Sequence, residues 1–203
     1  MQVLAVSPES EYADEAKLIA CLLSAGLDRY HLRKPEWDAA HCAELIAAIP
    51  CELHRRISIH QHHELAQTFK VGIHFKEEVA VRASACHDQT SNGAQGYTPL
   101  PYSRSIHQLD DLDMHLEGYD YAFLSPVFPS ISKPGYQAQW TDAQLRDALA
   151  LPRVAQIYAL GGITVGNTDR ALELGFDGVV LHGSLWQSTD LLTAFEAFRK
   201  EAV

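Results

Sequence analysis

Val154-Ala155-Gln156-Ile157-Tyr158-Ala159 leads through Leu160-Gly161-Gly162-Ile163-Thr164 into a periodic stretch, Asn167–Leu174, then Gly175, then Gly178-Val179-Val180-Leu181 and His182-Gly183-Ser184. The first run is rich in β-branched and aromatic residues and is closed by a glycine pair, so it reads as a strand and turn. The middle stretch carries its apolar residues at helical spacing, and Gly175 stands where a helix should end. Gly178–Leu181 is again a strand. Two strands joined through a helix lie parallel, because parallel neighbours need a crossover connection.

The same unit recurs along the whole chain. Further strands are expected at Gln2–Val6, Asp28–Leu32, Ile57–Ile59, Val71–His74, Arg104–Ile106 and Tyr121–Leu124. Amphipathic helices are expected at Glu15–Ser24, Ala39–Ile49, Thr141–Leu149 and Leu191–Arg199, with Thr141-Asp142 and Thr189-Asp190 as entry signals. Gly26 marks the end of the first. Eight strand-then-helix units in 203 residues imply one (β/α)8 TIM barrel spanning residues 1–203, close to the lower size limit of about 200 residues for that fold. A doubly wound open sheet is the alternative. Asp88–Tyr102, with Asn92-Gly93, Gly96, Pro99 and Pro101, reads as a long loop.

A hydrophobic share of 47% with 21% charged residues is that of an ordinary globular domain. No apolar run approaches the roughly 18 residues of a membrane span, so no membrane partner is expected. Met1–Pro8 lacks the basic start and apolar stretch of a signal peptide, and a cytoplasmic address is expected. Cys21, Cys42, Cys51 and Cys86 show no metal-like spacing; reduced cysteines are expected, with Cys21 and Cys42 as small hydrophobes of helices. A net charge of −10 argues against nucleic acid, which needs a dense cationic face. A small anion remains compatible where a few cations gather.

Barrel active sites are built by the segments that follow the strands. Those segments supply His31, Arg33-Lys34-Pro35, His60-Gln61-His62-His63, His74 and Ser105-Ile106-His107. They continue with Ser125 through Gly135, Gly161-Gly162 and His182-Gly183-Ser184. The loops after strands seven and eight are where such barrels hold phosphate, with backbone N–H groups at glycines and a helix start favouring the anion. Gly161, Gly162, Gly183 and Ser184 fit that role; alternatively the glycines only permit tight turns. Arg33, Lys34 and Lys133 add cations at the same end. His60, His62, His63 and His74 also invite a metal reading, with a metal-dependent hydrolase as its consequence, although no carboxylate accompanies them.

Together these segments resemble the thiamine phosphate synthase and TenI (thiazole tautomerase) superfamily. The resemblance is carried by Tyr30–Pro35, Val71–Phe75, Ser105-Ile106-His107, Tyr121–Gly135, Ala159–Thr164 and Gly175–Trp186. It implies an enzyme of thiamine biosynthesis whose ligand is a thiazole phosphate. His31-Leu32-Arg33 and Arg104-Ser105-Ile106-His107 are similar to the tautomerase branch, which aromatises a carboxythiazole phosphate by proton transfer. On that reading His107 carries the proton and Arg33 with Lys133 holds the carboxylate. His31, Lys34, His60, Ser105, Ser130 and Ser132 line the ligand, and Gly161, Gly162, His182, Gly183 and Ser184 hold the phosphate. The bland alternative for His107 is a ring bonded only to backbone.

The synthase branch, which joins a hydroxymethylpyrimidine diphosphate to thiazole phosphate, is the second reading. There the resemblance implies two aspartates for Mg2+, where this chain has His60-Gln61 and Val79, with Glu77 or Glu78 as the carboxylates that could take the role instead. No cofactor is expected for the tautomerase, and Mg2+ only for the synthase. A non-catalytic thiazole-phosphate binder is the third reading, and a homodimer stays open.

Overall fold

The computed structural model describes residues 1–76, 100–114, 116–129 and 138–200. Eight parallel strands close into a barrel: β1 Gln2–Val6, β2 Arg29–Leu32, β3 Ile57–Ile59, β4 Gly72–Phe75, β5 Tyr102–Ile106, β6 Tyr121–Leu124, β7 Gln156–Leu160 and β8 Gly178–Leu181. The last strand pairs with the first, Gln2 opposite Gly178. Around them lie α1 Glu15–Ser24, α2 Ala39–Ala47, α3 Leu65–Phe69, α4 Asp111–Met114, α5 Asp142–Leu149, α6 Thr168–Glu173, α7 Gly183–Trp186 and α8 Leu191–Lys200. No described helix is long and apolar enough to cross a membrane.

Strand residues alternate between two cores. Val3, Ala5, Leu32, Ile57, Ala122, Ile157 and Val179 point outward and pack with helix residues such as Ile19, Ile46, Leu145 and Phe195. Leu4, Val6, Tyr121, Phe123, Tyr158 and Val180 form a second apolar cluster. Burial on both faces is why the strands read as short, nearly continuous apolar runs. The side of the barrel built by β2 to β5 departs from this. Buried there are His31, Ser58, His74 and Ser103, where barrels of this class ordinarily bury bulky branched residues.

Glycine closes the ring. A Cβ on Gly178 would lie 2.1 Å from the Gln2 carbonyl oxygen, so only a residue without one lets β8 approach β1 this closely. At the N-terminal ends of the strands, three aspartates repeat one device. The Asp28 carboxylate accepts the Val3 N–H, Asp120 accepts that of Tyr102, and Asp177 that of Ile157, each at 2.7 Å. Each aspartate immediately precedes a strand and grips the strand before it.

The expected elements are found with small shifts. β7 starts at Gln156 because Val154 is 80% exposed, outside the barrel. β5 starts at Tyr102, two residues before the expected Arg104, because Ile73 N–H already bonds the Pro101 carbonyl at 3.0 Å. Most of the expected loop, residues 88–99, lies outside the described residues, as does Cys86. Gly26 and Gly175 take φ of +102° and +103° at the helix ends. Cys42 is buried as expected, but Cys21 sits on the solvent side of α1, so it is no core residue.

Candidate active site

Parallel strands deliver all their C-terminal ends to one face, so the segments after β2, β3, β5, β7 and β8 share one mouth. Just inside it lie three imidazoles from neighbouring strands. His31 Nδ1 is 3.0 Å from His60 Nε2, and Tyr121 Oη is 2.9 Å from His31 Nε2. Tyr121 Oη also meets Ser58 Oγ at 3.2 Å. His74 bonds Ser103 Oγ through Nδ1 at 2.9 Å and Ser105 Oγ through Nε2 at 3.0 Å. His31 meets the other two rings edge-on, whereas His60 and His74 stack with centroids 4.1 Å apart. Burial in the barrel holds all three below the ordinary histidine range, His74 to about 3, and repulsion from neighbouring histidines adds to the effect. They are therefore neutral rings with lone pairs available at neutral pH.

His107 stands apart and is exposed. Its Nδ1–H donates to the Ser125 carbonyl at 2.9 Å. In a neutral ring that bond fixes the tautomer and leaves the Nε2 lone pair to accept a proton. The backbone bond and the exposed Nε2 coexist, so the bland reading and the chemical one describe the same geometry.

The two expected cations of the β2 segment part company. Arg33 pairs with Glu9, in the segment after β1, and its backbone N–H donates to Ser7 Oγ at 2.8 Å. Its side chain keeps 28% of its surface exposed, so it remains a cation of the mouth. Lys34 does not. It is completely buried, its Nζ donating to Glu15 Oε2 at 2.6 Å and to the Ser10 carbonyl at 2.7 Å. Tyr30 Oη donates to the other Glu15 oxygen at 2.9 Å. Lys34 is thus a structural anchor between the β1 segment and α1, not a ligand contact. Lys133, Ser130 and Ser132 lie outside the described residues.

Gly161 and Gly162 adopt φ of +95° and +66°. A Cβ on Gly162 would come within 2.3 Å of the Pro129 carbonyl oxygen and 2.7 Å of the Phe128 backbone. Packing of the β7 turn against the β6 segment already demands glycine there, whatever else the backbone binds. His182 is the N-cap residue of α7, ahead of Gly183. Ser184 Oγ in the same turn is buried and has no hydrogen-bond partner among the described residues. A buried hydroxyl left unpaired costs free energy, so an incoming oxygen that satisfies it gains.

Of the histidines expected to cluster, His60 and His74 do so, while His62 turns away to bond the Trp37 carbonyl at 2.8 Å. His31 replaces it in the cluster. Tyr121, Ser58 and Ser103 were missed altogether. Strand parity finds two of them, since Ser58 is two positions from His60 and Ser103 two from Ser105.

Magnesium, implied by the synthase resemblance, does not fit what stands at the end of β3. Gln61 and His60 offer an amide and an imidazole where a hard cation wants carboxylate oxygens. Val79 brings no donor side chain, and it lies outside the described residues, as do Glu77 and Glu78.

A family model described as thiamine monophosphate synthase matches residues 3–185. A thiamine-phosphate synthase of Streptomyces avermitilis is 28% identical over 92% of this chain and 86% of its own. The Thermus thermophilus enzyme of the same name is 26% identical over 97% of this chain and 94% of its own. Among solved structures, a thiamine phosphate pyrophosphorylase from Bacteroides thetaiotaomicron superposes with a TM-score of 0.77 at 28% identity, covering 100% of this chain and 98% of that one. The family model covers most of the barrel, and the chain belongs to the thiamine monophosphate synthase family.

Proposed function

We propose that this chain joins a hydroxymethylpyrimidine diphosphate to a thiazole phosphate. The observation that carries the reading is likeness over almost the full length to relatives named thiamine-phosphate synthase. The thiazole nitrogen forms a bond to the pyrimidine methylene carbon. The C–O bond to the diphosphate breaks, and the electron pair leaves with the oxygen. Negative charge grows on the departing group, and Arg33 at the mouth is the cation of the described residues suited to offset it. Lys133 would add a second.

The thiazole phosphate is held where β7 and β8 end. Ser184 gives that placement a direct test. Ser184→Ala should weaken binding of a phosphorylated thiazole by roughly 10- to 100-fold, the value of one hydrogen bond to a charged group. Its dephosphorylated analogue should bind unchanged in the same titration. Equal losses for both would move the phosphate elsewhere.

A second reading is favoured by His107 and Gln61. A ring with Nε2 left as an acceptor, beside a described β3 end that offers His60 and Gln61 in place of a carboxylate, suits a thiazole tautomerase that shifts a proton on carboxythiazole phosphate. Incubation with thiazole phosphate or its carboxylated precursor, with and without pyrimidine diphosphate and Mg2+, separates the two by product analysis. Thiamine phosphate formed only with both substrates upholds the synthase. Aromatised thiazole formed without the pyrimidine replaces it with the tautomerase.

A further inference from the structure

The interior of a small barrel is an expensive place for three imidazoles. His31 and His74 are fully enclosed and His60 is half-buried at the mouth, in a space that apolar side chains would fill at lower cost. One ligating nitrogen from each ring can be chosen so that all three lie within 4.8 Å of one another. We propose that His31, His60 and His74 hold a borderline divalent transition metal, of the zinc class, through three imidazole nitrogens, with a fourth position open to the mouth.

The ligand atoms are His31 Nδ1, His60 Nε2 and His74 Nε2. Nitrogens on a four-coordinate zinc stand about 3.4 Å apart, given Zn–N bonds of about 2.0–2.1 Å. The His31–His60 pair, at 3.0 Å, needs only slight widening, with the metal taking the place of the shared proton. His74 must turn out of its stack on His60 and give up Ser105. In two of the rings the opposite nitrogen is already held as in metal-bound histidines, by a second partner on the far side. Tyr121 Oη holds His31 Nε2, and Ser103 Oγ holds His74 Nδ1.

Ligand chemistry selects the ion. Neutral imidazoles without a carboxylate suit zinc, cobalt, nickel or copper and are poor hosts for magnesium. Three histidines with one open position match a catalytic rather than a closed structural centre. An anionic substrate oxygen, from phosphate or carboxylate, is the ligand class that the open position would take. The inference does not depend on which of the two reactions the enzyme performs.

The test uses the full chain purified without an affinity tag, stripped with chelator and titrated with Zn2+ by equilibrium dialysis. One equivalent should bind, and Co2+ in its place should give the intense visible bands of a four-coordinate ion. His60 sits at the rim, so His60→Asn and His60→Gln should fold, as circular dichroism checks, and each should lose at least about tenfold in affinity. His41→Asn, on the exposed face of α2, should lose none. Stoichiometry well below one, or undiminished affinity in both folded His60 variants, overturns the proposal.

Discussion

Lys34→Met should lower the free energy of unfolding by about 3–5 kcal/mol, the usual cost of removing one partner from a buried ion pair. The side chain and that of Glu15 are 0% and 2% exposed, so water cannot take the lost ammonium's place. Burial already raises the Glu15 pKa, and Lys34 opposes that rise. Without Lys34 the carboxyl becomes harder still to ionise. A group whose folded pKa is raised contributes most below its unfolded value, here 4.5. The deficit should therefore be smallest in acid and grow as pH climbs through the folded value. Urea denaturation at several pH values measures both effects. Lys34→Met combined with Glu15→Gln should recover a good part of the loss, because no charge is left stranded. A single variant within about 1 kcal/mol of the parent would mean that the pair is not enclosed, and would restore Lys34 as a cation of the mouth.

His107→Asn divides the two candidate reactions. If the enzyme shifts a proton on the thiazole, this change removes the group that carries it. The rate should then fall roughly 10²- to 10⁴-fold, the range for a positioned acid–base. Ligand affinity should change little, because asparagine keeps an N–H for the Ser125 carbonyl, and a drop in kcat without a matching change in Kd identifies transition-state work. Bond formation by the thiazole nitrogen moves no proton at this position, so the synthase reaction should tolerate the same change to within about tenfold, far short of the general acid–base range. Rates for both reactions on one preparation give the answer. A variant fully active in both would remove His107 from the chemistry.

The fold was legible because barrel strands bury both faces, and the resulting short apolar runs contrast sharply with amphipathic helices between them. Glycines in the left-handed region at positions 26 and 175 closed the helices where sequence placed their ends. The site was less legible. Assigning side chains by the segment that carries them sent both Arg33 and Lys34 to the mouth. Yet adjacent residues point in opposite directions, and the carboxylate that claims Lys34 is 19 positions away. The histidine group failed in the same way. His62 looked equivalent to His60, whereas His31, 29 positions before His60, is the one that shares its interior face. Composition cannot rank such neighbours; barrel register can.

The aspartate grips at the far end of the barrel bear on how the chain finds its register. Each joins consecutive strands, closing loops of 25, 18 and 20 residues, and loops of that size differ little in closure entropy. β1 with β2, β5 with β6 and β7 with β8 can therefore set their own alignment early and locally. The seam between β8 and β1 has no such help. It joins the two ends of the molecule, as does the Trp186 Nε1–H bond to the Val6 carbonyl, 2.7 Å long and spanning 180 positions. Contacts of that separation are slow to form. Three pre-aligned strand pairs reduce the search to docking a few units and one final long-range closure, and that closure passes through Gly178, where no larger residue fits.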